Sequence, residues 1–261
     1  MPPSSASEAA HRSAFTQARF RLYYPSSCLS TLGAWLLRFL FGWVAWELTA
    51  SAFWVGVVAS LMLLPTFLLS PLFGITADRI NPRNGLLFTT AAQGLLAGLA
   101  ALAALLGALA LEALVLLALV FGAVSAAHTP LRLALLPRLV ERAALPSAIG
   151  LSAIAFNSSR IIAPAIGAGL LAMASPPLAF AAASAACAGA TGLLWRVTGT
   201  ARQPGAAAAG SFTEQLAAGF RYVLRSPGLR LVFLLTLTNG LLGRTALELL
   251  PAVSEIGRAH V

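Results

Sequence analysis

Long uncharged segments dominate the chain, and short polar segments separate them. Residues 85–111 carry no charge, and neither do residues 113–127. A helix that crosses a bilayer needs roughly 20 mostly apolar residues, whereas a helix buried in a soluble core can keep a polar face. The pattern therefore predicts an all-α, polytopic membrane protein rather than a soluble globular domain.

Seven such segments predict seven membrane-spanning helices. The first six predict a six-helix bundle, and a polar segment separates them from the seventh. Helices 1 to 3 and 4 to 6 would begin on opposite sides of the membrane, which is the inverted three-plus-three arrangement of many secondary transporters. The predicted spans are approximately 24–48, 52–77, 85–109, 112–133, 148–174, 178–197 and 229–253.

The segment between the sixth and seventh spans predicts a linker with a helix of its own. Ser211 and Glu214 have the spacing of a capping box, and apolar residues at 212, 216, 220 and 223 share one helical face. We expect this amphipathic helix to lie against the inner membrane surface or the bundle; the alternative is a solvated linker helix. The predicted domains are a cytoplasmic tail (1–22), the bundle (23–198), the linker (199–227, amphipathic helix 211–225), the seventh span (228–254) and a tail (255–261).

Composition and charge agree with a membrane location. Hydrophobic residues make up 59% of the 261 residues and charged residues only 10%, and the mean hydropathy is +0.85. All 17 basic residues are arginine. They recur after every second apolar segment instead of forming one stripe, which argues against a nucleic-acid partner. This positive-inside pattern predicts an inner (plasma) membrane protein with a cytoplasmic amino terminus and the lipid bilayer as its partner.

Cysteines and acidic residues give no sign of catalysis. Cys28 and Cys187 both lie in apolar segments, where a small packed thiol is the usual role. Neither has the spacing of a metal site, and Asp78 has no His or Cys nearby in sequence. We expect no enzyme activity, no cofactor and no metal. His128 and the five tryptophans are expected to be interfacial or packing residues.

The charged turn "GITADRINPRNG" (74–85) resembles the loop between helices 2 and 3 of the major facilitator superfamily. Asn81 and Pro82 depart from the usual glycine and basic residue. The resemblance implies a conformational latch that holds the outward-facing state against a carboxy-terminal half. It also implies alternating access and twelve spans in two halves. The matching residues are Gly74, Ala77, Asp78, Arg79 and Arg83.

Two further stretches resemble the drug and siderophore exporter branch that includes the enterobactin exporter. "HTPLRLALLPRLVERAAL" (128–145) is similar to the end of helix 4, and "NSSRIIAPAIGAGLL" (157–171) to helix 5. The branch implies an exporter of small amphiphilic molecules driven by proton antiport. In helix 5 the small residues and the proline are expected to serve packing. The matching residues are Pro130, Arg132, Pro137, Pro164, Gly167 and Gly169.

Arginines in the middle of predicted spans are the candidate substrate residues. Arg38 and Arg160 lie about fourteen residues into their spans, near the bilayer midplane, where a charge usually faces a cavity or a partner. Asn157 lies three residues before Arg160, on the same face. A cavity that binds anionic or polar groups of a substrate is one hypothesis. A structural pair with an acidic residue elsewhere, or snorkelling, is the alternative.

Acidic residues in the first and seventh spans are the candidates for proton coupling. Glu47 lies near the outer end of the first span, and Glu248 in the outer half of the seventh. Arg244 precedes Glu248 by four residues, so an intrahelical ion pair is the alternative. Glu47 could equally be interfacial. No acidic residue lies at mid-depth.

The final segment "SEIGRAHV" resembles a translated sequencing adapter. This resemblance predicts that residues 255–261 are not native and that the chain is a fragment lacking the carboxy-terminal half of the same protein. We therefore weigh three functions. They are a secondary transporter for a small-molecule substrate, a membrane structural or assembly protein without transport, and an inactive half-transporter.

Overall fold

The computed structural model describes residues 13–198, 221–222 and 224–238, except for the side chains at 71, 75–79, 233, 236 and 237. The chain divides into two compact units, Met1–Ala207 and Ala208–Val261. Throughout the described ranges the regular structure is helical, which confirms the predicted all-α class. The first unit holds six long helices: α1 (Ala18–Thr49), α2 (Ala52–Arg79), α3 (Pro82–Leu105), α4 (Leu111–Leu139), α5 (Leu145–Met173) and α6 (Pro176–Trp195).

All six are long and apolar enough to cross a membrane. Their connections are short, and short 3-10 helices lie at Ala14–Thr16 and Arg142–Ala144. In the second unit the described part contains α7 (Pro227–Thr238). Most of the predicted seventh span lies outside the described residues, as do the tail at 255–261 and most of the amphipathic segment at 211–225.

Two helices extend beyond their predicted boundaries. α1 begins at Ala18, so it overlaps the predicted tail of residues 1–22, because Phe20 and Tyr23 are buried between exposed arginines. α4 continues past the predicted end at residue 133 to Leu139, with Pro137 inside the helix. Leu135 and Leu139 extend the core there and are almost fully buried. In both cases, burial of apolar residues on one face extends the helix through a stretch that the arginines or the proline indicated to be a loop.

Helix packing follows the inverted repeat. α1 packs mainly on α5 and α6, and α4 packs mainly on α2 and α3. When helices 1, 2 and 3 are exchanged with helices 4, 5 and 6, the α1–α5 pair becomes the α4–α2 pair. The α1–α6 pair likewise becomes the α4–α3 pair. The α3–α6 pair, which is also extensive, maps onto itself. The contacts therefore have the pseudo-two-fold relation expected of two three-helix repeats.

Close helix approaches depend on small residues, and we call these contacts the glycine seams. A Cβ at Gly122 of α4 would lie 2.7 Å from the Leu61 carbonyl oxygen of α2, and one at Gly33 of α1 would lie 2.6 Å from the Cys187 Sγ of α6. Such contacts let backbones approach where lipid removes any hydrophobic drive between helices. Hydroxyl groups complete the seams: Ser184 Oγ donates to the Gly94 carbonyl oxygen at 2.8 Å.

The bundle has one arginine-rich end, at which α1, α3 and α5 begin and α2, α4 and α6 end. Ala14 N donates there to Ser147 Oγ at 3.1 Å, which ties the start of α1 to the start of α5. Glu47 and Glu112 lie at the opposite end. The arginines near the first end that have described side chains are Arg19, Arg21, Arg83, Arg138, Arg142 and Arg196.

Candidate functional site

Three arginines and three aromatic rings form a row along one side of the bundle, where α1, α4 and α5 meet. We call this set the arginine–aromatic column. On α4, Arg132 and Phe121 mark its two ends and are separated by about 16 Å along the helix axis. From the arginine-rich end outward, its members are Arg132, Phe156, Trp35, Arg160, Arg38 and Phe121.

Trp35 is the centre of the column because two guanidinium groups face its ring. The guanidinium carbon of Arg38 is 5.2 Å from the ring centroid, and that of Arg160 is 5.8 Å from it. Both distances are in the range of cation–π attraction. The two carbons lie no more than about 11 Å apart, so at an effective dielectric constant near 20 they repel by roughly 1.5 kcal/mol or more. The rings offset this repulsion and leave a strongly positive site.

Cation–π contacts also occur at both ends of the column. The guanidinium carbon of Arg132 lies 5.3 Å from the ring centroid of Phe156. The Phe156 ring packs edge-on against Trp35, with the ring centroids 5.6 Å apart. At the other end, the guanidinium carbon of Arg38 also lies 5.9 Å from the ring centroid of Phe121. Phe121 is buried and packs edge-on against Phe41 at 6.0 Å, so the outer end of the column rests on the hydrophobic core.

Gly167 sets the spacing between α1 and α5 that the column requires. A Cβ at this position would lie 2.5 Å from Phe39 Cδ1 and 3.0 Å from Leu36 Cδ1, both on α1. Any side chain there would therefore have to displace Phe39 or Leu36. Gly169, by contrast, has open space around an added Cβ among the described residues, so its packing role stays a prediction. Pro164 lies inside α5, one turn beyond Arg160.

Depth distinguishes the two central arginines from those at the arginine-rich end. Arg38 lies eleven residues before the end of α1, which is about 16 Å along the helix. Arg160 is near the middle of the 29-residue α5. A charge so far from either end of a spanning helix is expensive unless it faces water or a partner. Arg160 and Asn157 are exposed, whereas Arg38 and Arg132 are partly buried.

The column presents hydrogen-bond donors for which the rings do not compete. A ring accepts a cation through its face, so the in-plane N–H groups of the guanidinium stay available. Arg132 Nη1 is buried and has no hydrogen-bond partner among the described residues. Asn157 Nδ2 donates to the Ala153 carbonyl oxygen at 2.8 Å. Planar guanidinium groups are suited to pairing with carboxylate or phosphate groups.

The loop between α2 and α3 has a structural role of its own. Asn81, which replaces the usual glycine, caps α3 by accepting a hydrogen bond from Arg83 N at 3.0 Å, and Pro82 follows as the first helical residue. The Arg83 guanidinium donates to the Trp195 carbonyl oxygen, the last residue of α6, and to Asn84 Oδ1 at 3.2 Å. Arg83 therefore caps the negative end of α6 and ties it to α3.

The other predicted latch residues lie in the last part of α2. Gly74 has no atom within 4 Å of an added Cβ, so the close approach expected there is not observed in the described part of the chain. Asp78 and Arg79 belong to the last turn of α2, and their side chains lie outside the described set.

The proton-coupling candidates fall mostly beyond the described residues. Glu47 is exposed near the end of α1, away from the column, whereas Arg244 and Glu248 lie outside the described ranges. Within those ranges no group of three or more His, Cys, Asp and Glu side chains could hold a metal ion.

Sequence reasoning missed the aromatic half of the column and the place of Arg132 in it. Trp35, expected to be an interfacial or packing residue, lies at its centre, and Phe156 bridges it to Arg132. A signal was available in the spacing. Trp35 precedes Arg38 by three residues, and Phe156 precedes Arg160 by four, so each pair shares a helix face. Pro130 and Pro137, on either side of Arg132, lie inside α4.

Two comparisons with known proteins agree with this architecture. A family model described as "Transmembrane secretion effector", within the major facilitator superfamily, matches residues 9–258. The chain is also similar to the "Staphyloferrin A transporter" of Staphylococcus aureus (strain NCTC 8325 / PS 47), with 29% identity over 163 residues. That match covers 62% of this chain but only 41% of the relative's length. With six spans packed as an inverted repeat, the chain is a multi-pass membrane protein that belongs to the transmembrane secretion effector family of the major facilitator superfamily.

Proposed function

We propose that the protein is a secondary active transporter that works by alternating access and exports small amphiphilic molecules, such as drugs or siderophores. The observation that carries this proposal is the arginine–aromatic column. It is a charged surface in the middle of membrane-spanning helices, on the side where α1, α4 and α5 meet. In transporters, substrate sites lie near the bilayer midplane.

The column combines the two properties that an amphiphilic substrate needs. Trp35 and Phe156 offer apolar ring surface, and Arg38 and Arg160 offer charge-assisted hydrogen bonds. A purely structural bundle gains little from three arginines in its membrane-embedded part, because each carries a desolvation cost. In a transporter the desolvation cost of these arginines is offset by a function, because their charge binds a substrate that lipid alone would exclude.

Direction and energy source belong to the proposal as well. The family description refers to secretion, and the relative's name refers to transport of staphyloferrin A. Both favour a solute carrier, and the first favours export. Proton antiport would supply the energy, with Glu47, Arg244 and Glu248 as the candidate coupling residues. The exporter branch that includes the enterobactin exporter remains our preferred place within the family.

The proposed orientation puts the arginine-rich end of the bundle in the cytoplasm and the protein in the inner (plasma) membrane. Support comes from six arginines near that end and from Glu47 and Glu112 at the other. In this orientation the α2–α3 loop is cytoplasmic. Gly74, Asp78 and Arg79 would then form the latch against a carboxy-terminal half, while Arg83 holds the loop to α6.

The test is transport by everted membrane vesicles that contain the complete transporter under an imposed pH gradient. A panel of drugs and siderophores on cells lacking the gene would identify the substrate to follow. Arg160→Gln and Arg38→Gln should abolish its accumulation while membrane insertion stays normal. Arg21→Gln, which removes the same charge at the exposed start of α1, should leave transport intact.

Two results would contradict the proposal. Unchanged transport in both mid-membrane variants would remove the column from the transport path. A complete protein that inserts normally yet moves no solute would favour a structural or assembly role instead.

A further inference from the structure

Two guanidinium groups of the column, those of Arg160 and Arg132, have no carboxylate beside them among the described residues. Of the acidic residues whose side chains are described, Glu47 and Glu112 lie at one end of the bundle, and Glu141 lies beyond the end of α4 at the other. For Arg160 the described contact is the face of Trp35. For Arg132 it is the face of Phe156, and its Nη1 is buried without a hydrogen-bond partner among the described residues.

The two arginines rest on rings that touch each other. Arg160 faces Trp35, Arg132 faces Phe156, and the two ring centroids are 5.6 Å apart. Phe156 and Arg160 are also one turn apart on α5. The two guanidinium groups therefore rest on different rings of one continuous aromatic surface.

A single anion does not match this arrangement. One carboxylate can pair with one guanidinium fork, and it would leave the other arginine, which faces the other ring, without an oxyanion. A substrate with two oxyanion groups joined by a short apolar or planar spacer would pair with both. Its spacer would lie on Trp35 and Phe156.

We infer that the substrate is a small polyanion with at least two carboxylate or phosphate groups, one bound by Arg160 and another by Arg132. This inference rests on the transport function proposed above and specifies its substrate class. A cationic amphiphile, the opposite substrate class, would meet the like charges of Arg160 and Arg132 and is disfavoured.

Binding of model anions to the purified full chain in detergent tests the inference without transport. Isothermal titration calorimetry would compare benzene-1,3,5-tricarboxylate, benzoate and benzyltrimethylammonium, which share one aromatic ring and differ in charge. We expect the tricarboxylate to bind at least ten-fold more tightly than benzoate, and the cation to give no signal. Raising the salt concentration should weaken the tricarboxylate more than benzoate.

Substitutions test whether Arg160 and Arg132 are the residues that bind the anion. Arg160→Gln and Arg132→Gln should each weaken tricarboxylate binding by about 10- to 100-fold, because each removes a charge-assisted hydrogen bond. Arg160→Lys and Arg132→Lys keep the charge but lose the planar fork, so their losses should be smaller. The lysine variants also keep the test usable if a glutamine variant misfolds. Arg21→Gln is the matched control and should bind like the parent protein.

Three outcomes would overturn the inference. They are equal affinity for benzoate and the tricarboxylate, unchanged affinity in both glutamine variants, and no tricarboxylate binding at millimolar concentration. Transport by the vesicles with any one of these results would leave the transporter proposal standing and remove only the substrate class. Binding with the predicted pattern but no transport would support the polyanion site and contradict the transporter proposal.

Discussion

The two sides of α1 differ in the groups that contact their polar side chains. Toward α6, Ser26 Oγ donates to the Ala190 carbonyl oxygen at 2.7 Å, and Gly33 lies directly against Cys187. The polar side chain of Ser26 is short and finds its partner across the seam. Toward α4 and α5, the same helix presents Trp35 and Arg38, long side chains that meet ring faces.

This difference separates structure from function within one helix. A hydroxyl that donates to a carbonyl across a seam has its hydrogen-bonding capacity used, and it holds two helices together. A guanidinium on a ring has its charge partly compensated, and the ring face does not use its N–H groups. The seams therefore give the bundle a fixed shape, and the column gives it a surface able to bind. Mutations on the two sides should have different readouts.

The largest expected effect is on the seam between α2 and α4. Gly122→Val should lower the free energy of unfolding by about 3 kcal/mol, because the new side chain meets the backbone of Leu61 and Met62. Thermal unfolding in detergent would measure it. Gly56→Val on α2, where an added Cβ meets nothing within 4 Å, is the control. Similar melting temperatures for the two variants would show that the seam is not close-packed.

A smaller effect, on binding instead of stability, is expected at the centre of the column. Trp35→Leu removes the ring that faces both Arg38 and Arg160. A cation–π contact contributes about 1–2 kcal/mol when desolvated, so tricarboxylate affinity should fall by roughly ten-fold. Trp195→Leu, at an exposed tryptophan outside the column, should bind normally. A large loss of thermal stability without loss of affinity would instead make Trp35 a packing residue.

A single seam hydrogen bond should contribute less. Ser184→Ala removes the donor to the Gly94 carbonyl oxygen, and we expect a loss of about 0.6–1.5 kcal/mol in the free energy of unfolding. Anion affinity should not change, since Ser184 lies on α6. Ser60→Ala, at an exposed serine of α2, is the matched control. Reduced anion affinity in Ser184→Ala would show that seam and column are coupled.

The smallest effect is expected at the cap of α6. Arg83→Gln removes the charged donor to the Trp195 carbonyl oxygen and should cost about 0.3–1 kcal/mol of stability. Because the site is exposed, the loss should shrink as the salt concentration rises. Chemical unfolding at two salt concentrations, with Arg21→Gln as the control, would measure it. A salt-independent loss would contradict the capping role.

The fold could be predicted from the sequence because lipid imposes a length and a polarity on every spanning helix. Six of the predicted spans correspond to α1–α6. The helix ends were harder, since Phe20 and Leu139 are buried only in the folded bundle. Proline at 137 and arginines at 19 and 21 indicated loop, but burial of the neighbouring apolar residues outweighed them.

The site could be predicted only in part. A charge at mid-depth is visible in a sequence, and this led to Arg38 and Arg160. The partners are not visible, because Phe156 and Trp35 lie on different helices and meet only when Gly167 lets α5 approach α1. The spacings of Trp35 with Arg38 and of Phe156 with Arg160 indicate shared helix faces, but they do not show which arginine on another helix each ring faces.

Water access to the column tests the central claim most directly. Cysteine would be introduced at position 160 or 162 in a Cys28→Ala, Cys187→Ala background, and the membrane-embedded protein treated with a membrane-impermeant, anionic thiosulfonate. Arg160 and Ile162 are both exposed and lie on nearly opposite flanks of α5. If the column lines an aqueous substrate cavity, Arg160→Cys reacts quickly and Ile162→Cys stays unmodified. Equal protection of both cysteines would mean that Arg160 faces lipid or protein, and would contradict the account.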